Sequence, residues 1–143
     1  MDEFNLKALN DIYKNAHIAL QSISDVLPAV EDEQLKKELN YQYEGYEKAI
    51  SMINEEMTKN GKTPKDMNPL KKAMLWSSIK MKTMMNSSRN QIAEMMIKGT
   101  VTGINELTAM KNENSNLSED VKKCLDHLLQ IEEEYEQRLK SFL

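Results

Sequence analysis

One tyrosine-centred pattern occurs twice in this chain, and both copies lie on stripes of apolar residues that repeat with helical spacing. The copies cover residues 44–50 (EGYEKAI) and 133–139 (EEYEQRL). The first stripe comprises Leu39, Tyr43, Tyr46, Ile50, Ile53 and Met57, and the second comprises Val121, Leu125, Leu128, Glu132, Tyr135, Leu139 and Phe142. Steps of alternately four and three residues place side chains on one face of an α-helix. The pattern therefore predicts two long helices whose tyrosine-bearing faces pack against a common core.

Breaks in the helical pattern are few, because the chain contains only four glycines and three prolines in 143 residues. We predict a first helix over residues 2–27, ended by Pro28, since proline disfavours helix in the residue that precedes it. A second helix should run from residue 31 to residue 57 or 59, where Asn60-Gly61 is a typical helix end. The connection between these helices is short, so they should be antiparallel neighbours.

A second pair of long helices is predicted over residues 89–111 and 119–142, with a polar turn between them. Ser88 followed by Gln91 matches a capping box at the start of the earlier helix. Ser118 is a suitable cap for the later helix. This half of the chain therefore repeats the organisation of the first half: a helix, a short turn and a helix that carries the tyrosine pattern.

A long connection, residues 60–88, joins the two pairs. Within it, Asn68 can cap a shorter helix that begins at Pro69 and ends near Met85. The single domain, 1–143, therefore divides into a first helical hairpin (1–59), a crossover with a short helix (60–88) and a second hairpin (89–143). Two hairpins joined by a long crossover have the connectivity of ferritin-like bundles. The predicted fold class is all-α, a ferritin-like four-helix bundle with an extra short helix in its crossover.

Two runs carry a family resemblance: residues 132–139 (EEEYEQRL) and residues 43–46 (YEGY). The first is similar to the Glu-x-x-His helix end of rubrerythrins, and the second matches it. On these runs the chain resembles the ferritin-like superfamily, in particular small bacterial rubrerythrin-related bundles of the DUF2383 type. The resemblance extends diffusely over nearly the whole chain.

This resemblance implies where di-iron ligands would lie. Glu132 falls on a ligand position of the family, whereas Tyr135, Tyr43 and Tyr46 occupy the other three positions of the two runs. The glutamates of the remaining helices would fall within residues 15–19 and 98–103, and neither window contains a glutamate. We therefore expect a degenerate metal site, with no metal ligand, no cofactor and no catalytic residue. The alternative is an iron or manganese protein, an oxidase or stress-related, that uses Glu132, Tyr135, Tyr43 and Tyr46 as an atypical ligand set.

Two further expectations concern the predicted core. The Glu132 carboxyl must be hydrogen-bonded or protonated there, because burying an unpaired charge is costly. Its expected partner is the hydroxyl of Tyr13, Tyr43 or Tyr46. Gly99 and Gly103, which are unfavourable inside a helix, are expected to leave room for the tyrosines of the other helices.

Composition excludes several classes of function. A net charge of −4 gives no general case for nucleic-acid binding, and Cys124 is the single cysteine, so an internal disulfide is impossible. The acidic start, MDEFN, is unlike a signal peptide. No stretch approaches the roughly 20 apolar residues that span a bilayer. We therefore expect a cytoplasmic protein with no transmembrane segment and no nucleic-acid partner.

The crossover is the region where we expect an interaction surface. Residues 67–93 contain five basic residues and no acidic residue, and their apolar residues are rich in methionine. Basic, methionine-rich amphipathic helices adapt to partner surfaces. The predicted surface consists of Lys71, Lys72, Met74, Leu75, Trp76, Ile79, Lys80 and Met84. It would form a homodimer or bind another protein, the alternative being that it only covers an acidic flank of the bundle. The sequence thus favours a non-catalytic interaction or structural protein over an enzyme.

The first prediction follows from this surface. We expect light scattering to detect self-association of the wild type and its loss in the double variant Met74→Lys/Ile79→Lys, since lysines would interrupt the apolar face. A wild type that stays monomeric at high micromolar concentration, with a Trp76 fluorescence spectrum typical of a fully buried indole, would contradict the prediction.

Overall fold

The computed structural model describes residues 1–63 and 88–143, and every regular element in these ranges is helical. The elements are helix α1 (Glu3–Val26), a 3-10 turn (Leu27–Ala29), helix α2 (Glu33–Lys59), helix α3 (Arg89–Glu113) and helix α4 (Glu119–Lys140). The four long helices predicted from the sequence are therefore confirmed, with ends that differ by at most a few residues. The predicted short helix that begins at Pro69 lies outside the described residues.

Local side-chain signals define the helix ends. Asp2 accepts a hydrogen bond from the Asn5 backbone N–H (2.8 Å) at the start of α1, and Asp32 accepts one from Leu35 (2.8 Å) at the start of α2. Such caps satisfy N–H groups that have no partner within the helix. Helix α2 ends before Gly61, whose φ of 68° lies in the left-handed region that glycine adopts without strain.

The capping box predicted at Ser88 and Gln91 is present at the start of α3. The backbone N–H of Ser88 donates to the Gln91 side chain (2.9 Å). At the start of α4, the Ser118 hydroxyl accepts from the Val121 backbone N–H (3.3 Å). The Ser118 backbone N–H in turn donates to the Asn5 side chain (2.9 Å), which ties the start of α4 to α1. This contact links the two halves of the chain at one end.

The four helices enclose one hydrophobic core. Helix α1 packs beside α2, α3 packs beside α4, and α4 contacts all three other helices. A buried residue occurs at every turn of α4, from Val121 and Leu128 through Glu132 and Tyr135 to Leu139. Because one face of α4 is buried along its whole length, α4 has neighbouring helices along its whole length.

The tyrosines of the two pattern copies meet inside this core. Tyr46 is 2 % exposed and Tyr135 is 3 % exposed, and their rings pack edge to face with centroids 5.4 Å apart. The Tyr135 hydroxyl lies against Gly45, where any Cβ atom would collide with it. Gly45 is therefore the residue that makes room for Tyr135.

The expectation that Gly99 and Gly103 leave room for the tyrosines is wrong in its geometry. A Cβ atom on Gly99 would meet no other group within 4 Å, and one on Gly103 would meet the Glu132 carboxyl at 3.0–3.4 Å. Gly103 therefore accommodates Glu132, while Gly99 accommodates nothing among the described residues. The reason is the relative offset of the helices, which places α2, and not α3, opposite the Tyr135 hydroxyl.

A charged clamp joins α2 to α4 at the edge of the core. The Arg138 guanidinium donates to both oxygens of the Glu38 carboxylate (2.7–3.0 Å), and the Gln42 amide donates to the same carboxylate (2.8 Å). Arg138 also lies over the Tyr41 ring, 4.3 Å from its centroid. Paired guanidinium–carboxylate hydrogen bonds fix geometry as well as charge, so the clamp holds the two pattern-bearing helices in register.

The second prediction tests the packing of the two tyrosines. We expect Tyr46→Ala and Tyr135→Ala each to lower the free energy of unfolding by about 3–5 kcal/mol, as for other large buried aromatic residues. Tyr135→Phe is the matched control, because it keeps the ring and should cost about 1 kcal/mol or less. Urea denaturation of the three variants measures these differences. A loss below about 1 kcal/mol for both alanine variants would show that the rings are not part of the core.

Candidate functional site

Each of the four helices contributes a polar group to one cluster inside the core. The groups are the Asn15 amide on α1, the Tyr46 hydroxyl on α2, the Gly103 carbonyl on α3 and the Glu132 carboxyl on α4. Glu132 is 1 % exposed, and both Asn15 and Tyr46 are buried. Buried polar groups are costly unless they bind one another. We call these four residues, together with Glu106, the polar cluster.

The Glu132 carboxyl is incompletely satisfied. The Tyr46 hydroxyl donates to Glu132 Oε1 over 3.5 Å, at the long limit of a hydrogen bond. Glu132 Oε2 has no hydrogen-bond partner among the described residues. Tyr46 was one of the three partners that the sequence predicted. A buried carboxylate with one long hydrogen bond lacks the groups that would stabilise its charge.

On the opposite side of the cluster, Asn15 binds α3. Its amide nitrogen donates to the Gly103 carbonyl (3.2 Å) and to Glu106 Oε2 (3.4 Å). The amide oxygen of Asn15 has no hydrogen-bond partner among the described residues. Two side-chain oxygens without a hydrogen-bond partner among the described residues, one on Asn15 and one on Glu132, therefore lie near Gly103.

The electrostatics of the cluster favour a neutral acid. The pKa of the Glu132 carboxyl is raised to about 8: burial is the main cause, the hydrogen bond from Tyr46 lowers the pKa, and the charge of Glu106 raises it. Burial, together with Glu132, raises the pKa of the Tyr46 hydroxyl well above its ordinary value. Both shifts favour the protonated forms of the carboxyl and the phenol.

These groups do not fit iron or manganese. Iron and manganese sites use several carboxylate and imidazole ligands, whereas the polar cluster supplies one buried carboxyl, a phenol and an amide. Burial also raises the pKa of Tyr135 to about 12, and its hydroxyl lies against Gly45. Tyr43 is half-buried and packs against the core. Within residues 1–63 and 88–143, no three His, Cys, Asp or Glu side chains are grouped so that they could hold a metal ion.

Two other reactive side chains lie elsewhere in the core. Burial raises the pKa of the Cys124 thiol to about 11, which makes the reactive thiolate scarce at neutral pH. The half-buried His17 ring lies 4.3 Å from the Tyr13 ring, centroid to centroid, and burial lowers its pKa. Among the described residues, neither side chain has a hydrogen bond to a residue of the polar cluster. The structure therefore gives neither of them a role as a nucleophile or a base there.

Sequence reasoning missed part of the cluster. Asn15 is the first residue of the range 15–19, in which a glutamate ligand was expected. Its amide side chain is not a carboxylate and therefore did not count as a ligand. Glu106 lies three residues after Gly103, one helical turn beyond the window on the third helix. The signal that could have found it is the i, i+3 spacing from Gly103, which places both on one face.

The predicted interaction surface lies outside the described residues, so Lys71, Lys72, Met74, Leu75, Trp76, Ile79, Lys80 and Met84 remain a prediction. Among the helices that the structure describes, none combines the length and the apolar character needed to cross a membrane. No protein-family model, no curated protein and no solved structure matches the chain.

The third prediction concerns the protonation of Glu132. The unfolded chain loses this proton near pH 4.5, whereas the folded protein keeps it until about pH 8. The contribution of Glu132 to stability is therefore fully present below pH 4.5 and declines as the pH rises through this window. Relative to the isosteric variant Glu132→Gln, the wild type should lose on the order of 3 kcal/mol of unfolding free energy between pH 5 and pH 8. Urea denaturation at both pH values measures the difference, and parallel pH profiles would contradict it.

Proposed function

We propose that this chain is a non-catalytic, ferritin-like bundle with a degenerate metal site, and that it acts as an interaction or structural protein. The observation that carries the proposal is the Glu132 carboxyl, buried with one long hydrogen bond at the position where the resemblance puts a metal ligand. A di-iron bundle needs several carboxylate and imidazole ligands. The polar cluster instead supplies a neutral acid, a phenol and an amide.

The ferritin-like assignment rests on connectivity. Helices α1 and α2 form one hairpin, α3 and α4 form another, and the long connection between them passes through residues 60–88. Two hairpins joined in this way are typical of ferritin-like proteins. The tyrosine pattern on α2 and α4 supports a duplicated hairpin, because its two copies meet through Tyr46 and Tyr135 at the centre of the core.

The interaction function rests on charge and composition. Residues 67–93 carry five basic residues and no acidic residue, while the whole chain has a net charge of −4. A basic, methionine-rich helix would be attracted to an acidic surface, and its apolar side chains would then supply buried area. The occupant of this surface would be a second copy of the chain or another protein, through the residues from Lys71 to Met84.

The alternative is an atypical iron or manganese protein. One observation favours it: Glu132 Oε2 has no hydrogen-bond partner among the described residues. A cation bound at this atom would pair with it, and its charge would oppose protonation of Glu132. Metal content distinguishes this alternative from the metal-free bundle.

The fourth prediction is that the purified protein contains no stoichiometric transition metal when it is expressed in medium supplemented with iron and manganese. Elemental analysis by mass spectrometry measures this, since the donor set of one carboxyl and several phenols lacks the ligands that such metals require.

Two variants make this experiment decisive. One equivalent or more of iron, manganese or zinc in the wild type, absent from Glu132→Ala but retained by Glu134→Ala, would establish the alternative. Glu134 is the matched control, because it lies two residues away on α4 with an exposed side chain. Metal that both variants retain would be bound elsewhere on the chain.

A further inference from the structure

Helix α3 is held to the core differently from the other helices. Its buried residues are Ile92, Ala93, Met96 and Leu107, and no residue from 97 to 106 is buried. This stretch covers almost three helical turns. Within it, the partly buried Ile97 packs against the core. Polar contacts add to this packing: Asn15 binds the Gly103 carbonyl and Glu106, and the Glu132 carboxyl lies against Gly103. The buried apolar residues of α3 therefore lie on either side of this stretch.

The same stretch contains the sequence least suited to a helix. Residues 99–103 read Gly-Thr-Val-Thr-Gly. Each glycine disfavours helix by about 1 kcal/mol relative to alanine, and threonine and valine are also weak helix formers. Both threonines bind the backbone one turn earlier, Thr100 to the Met96 carbonyl (2.8 Å) and Thr102 to the Lys98 carbonyl (3.0 Å). Such back-bonding slightly destabilises helices and often bends them.

Packing within the described residues explains only one of the two glycines. Gly103 is required by Glu132, because a Cβ atom there would lie 3.0 Å from the carboxyl. Gly99 is exposed, and a Cβ atom there would meet nothing within 4 Å. Among the described residues, Gly99 therefore weakens the helix without making room for a neighbour.

We propose that residues 99–103 form a hinge at which α3 opens locally and admits solvent and small polar molecules to the Glu132 carboxyl, while α1, α2 and α4 remain folded. The segment has the features of a locally unstable unit: few buried apolar contacts and poor intrinsic helix formation. It also lies directly over the unpaired oxygen of Glu132, which is otherwise sealed at 1 % exposure. This inference goes beyond the proposed function and does not depend on a partner.

The experiment measures how often the folded protein exposes Glu132. A water-soluble carbodiimide with glycine ethyl ester converts accessible carboxyl groups into amides, and peptide mass spectrometry gives the rate at each position. Glu134 is exposed and serves as the internal reference for reagent activity. We expect Glu132 of the wild type to be labelled without denaturant, at a rate that low concentrations of urea do not change.

Two alanine variants separate local from global opening. Gly99→Ala fits without a clash and strengthens α3, so it should slow the labelling of Glu132 about fivefold. Ser51→Ala, at an exposed position in the middle of α2, improves a helix far from the hinge and should leave the rate unchanged. Thr102→Ala is a second substitution that strengthens the helix within residues 99–103, so it should also slow the labelling of Glu132.

Hydrogen exchange supplies an independent measurement. Amides of residues 99–107 should exchange faster than those in the middle of α1, and Gly99→Ala should slow them selectively. Labelling of Glu132 only at urea concentrations that unfold the whole chain would overturn the proposal. Equal slowing by Gly99→Ala and Ser51→Ala would overturn it as well, because the opening would then be global.

Discussion

The removal of one carboxyl group from water is the constraint on which the centre of this protein depends. Glu132 lies on the buried face of α4, which, like α1, contacts all three other helices, and its side chain is 1 % exposed. Burial of an isolated charge is prohibitively costly, and a buried acid therefore keeps its proton. Gly103 leaves space for the group, and Tyr46 provides its hydrogen bond. The four helices are arranged around a neutral acid.

The helices contribute unequally to the core that surrounds Glu132. Helix α4 has a buried residue at every turn, whereas no residue in the middle of α3, from 97 to 106, is buried. Burial and intrinsic helix formation thus weaken together in the middle of α3, although the two properties are independent in principle. The coincidence of both at the segment that covers Glu132 distinguishes this region from an ordinary exposed helix face.

Local patterns in the sequence were sufficient for the helices and for part of the cluster. Stripe periodicity and capping residues depend on neighbours a few positions away, which is why the helix ends and the burial of Glu132 and Tyr46 could be predicted. The roles of the glycines could not be predicted from such local patterns. Whether a glycine in α2 or in α3 faces Tyr135 depends on the rotation and offset of whole helices, and residue spacing within one helix carries no information about either. For the same reason the Glu38–Arg138 clamp, which joins residues far apart in the chain, left no signal in the sequence.

The contact between Gly45 and Tyr135 restricts how the two copies of the tyrosine pattern can change over evolutionary time. Position 45 precedes one pattern tyrosine and position 134, a glutamate, precedes the other, so the copies differ where they would otherwise correspond. Any side chain at position 45 collides with the Tyr135 hydroxyl. A side chain at position 45 would fit only if the Tyr135 ring moved or were replaced by a smaller one. The two hairpins are therefore complementary at this contact, and a residue that the exposed position 134 tolerates does not fit at position 45.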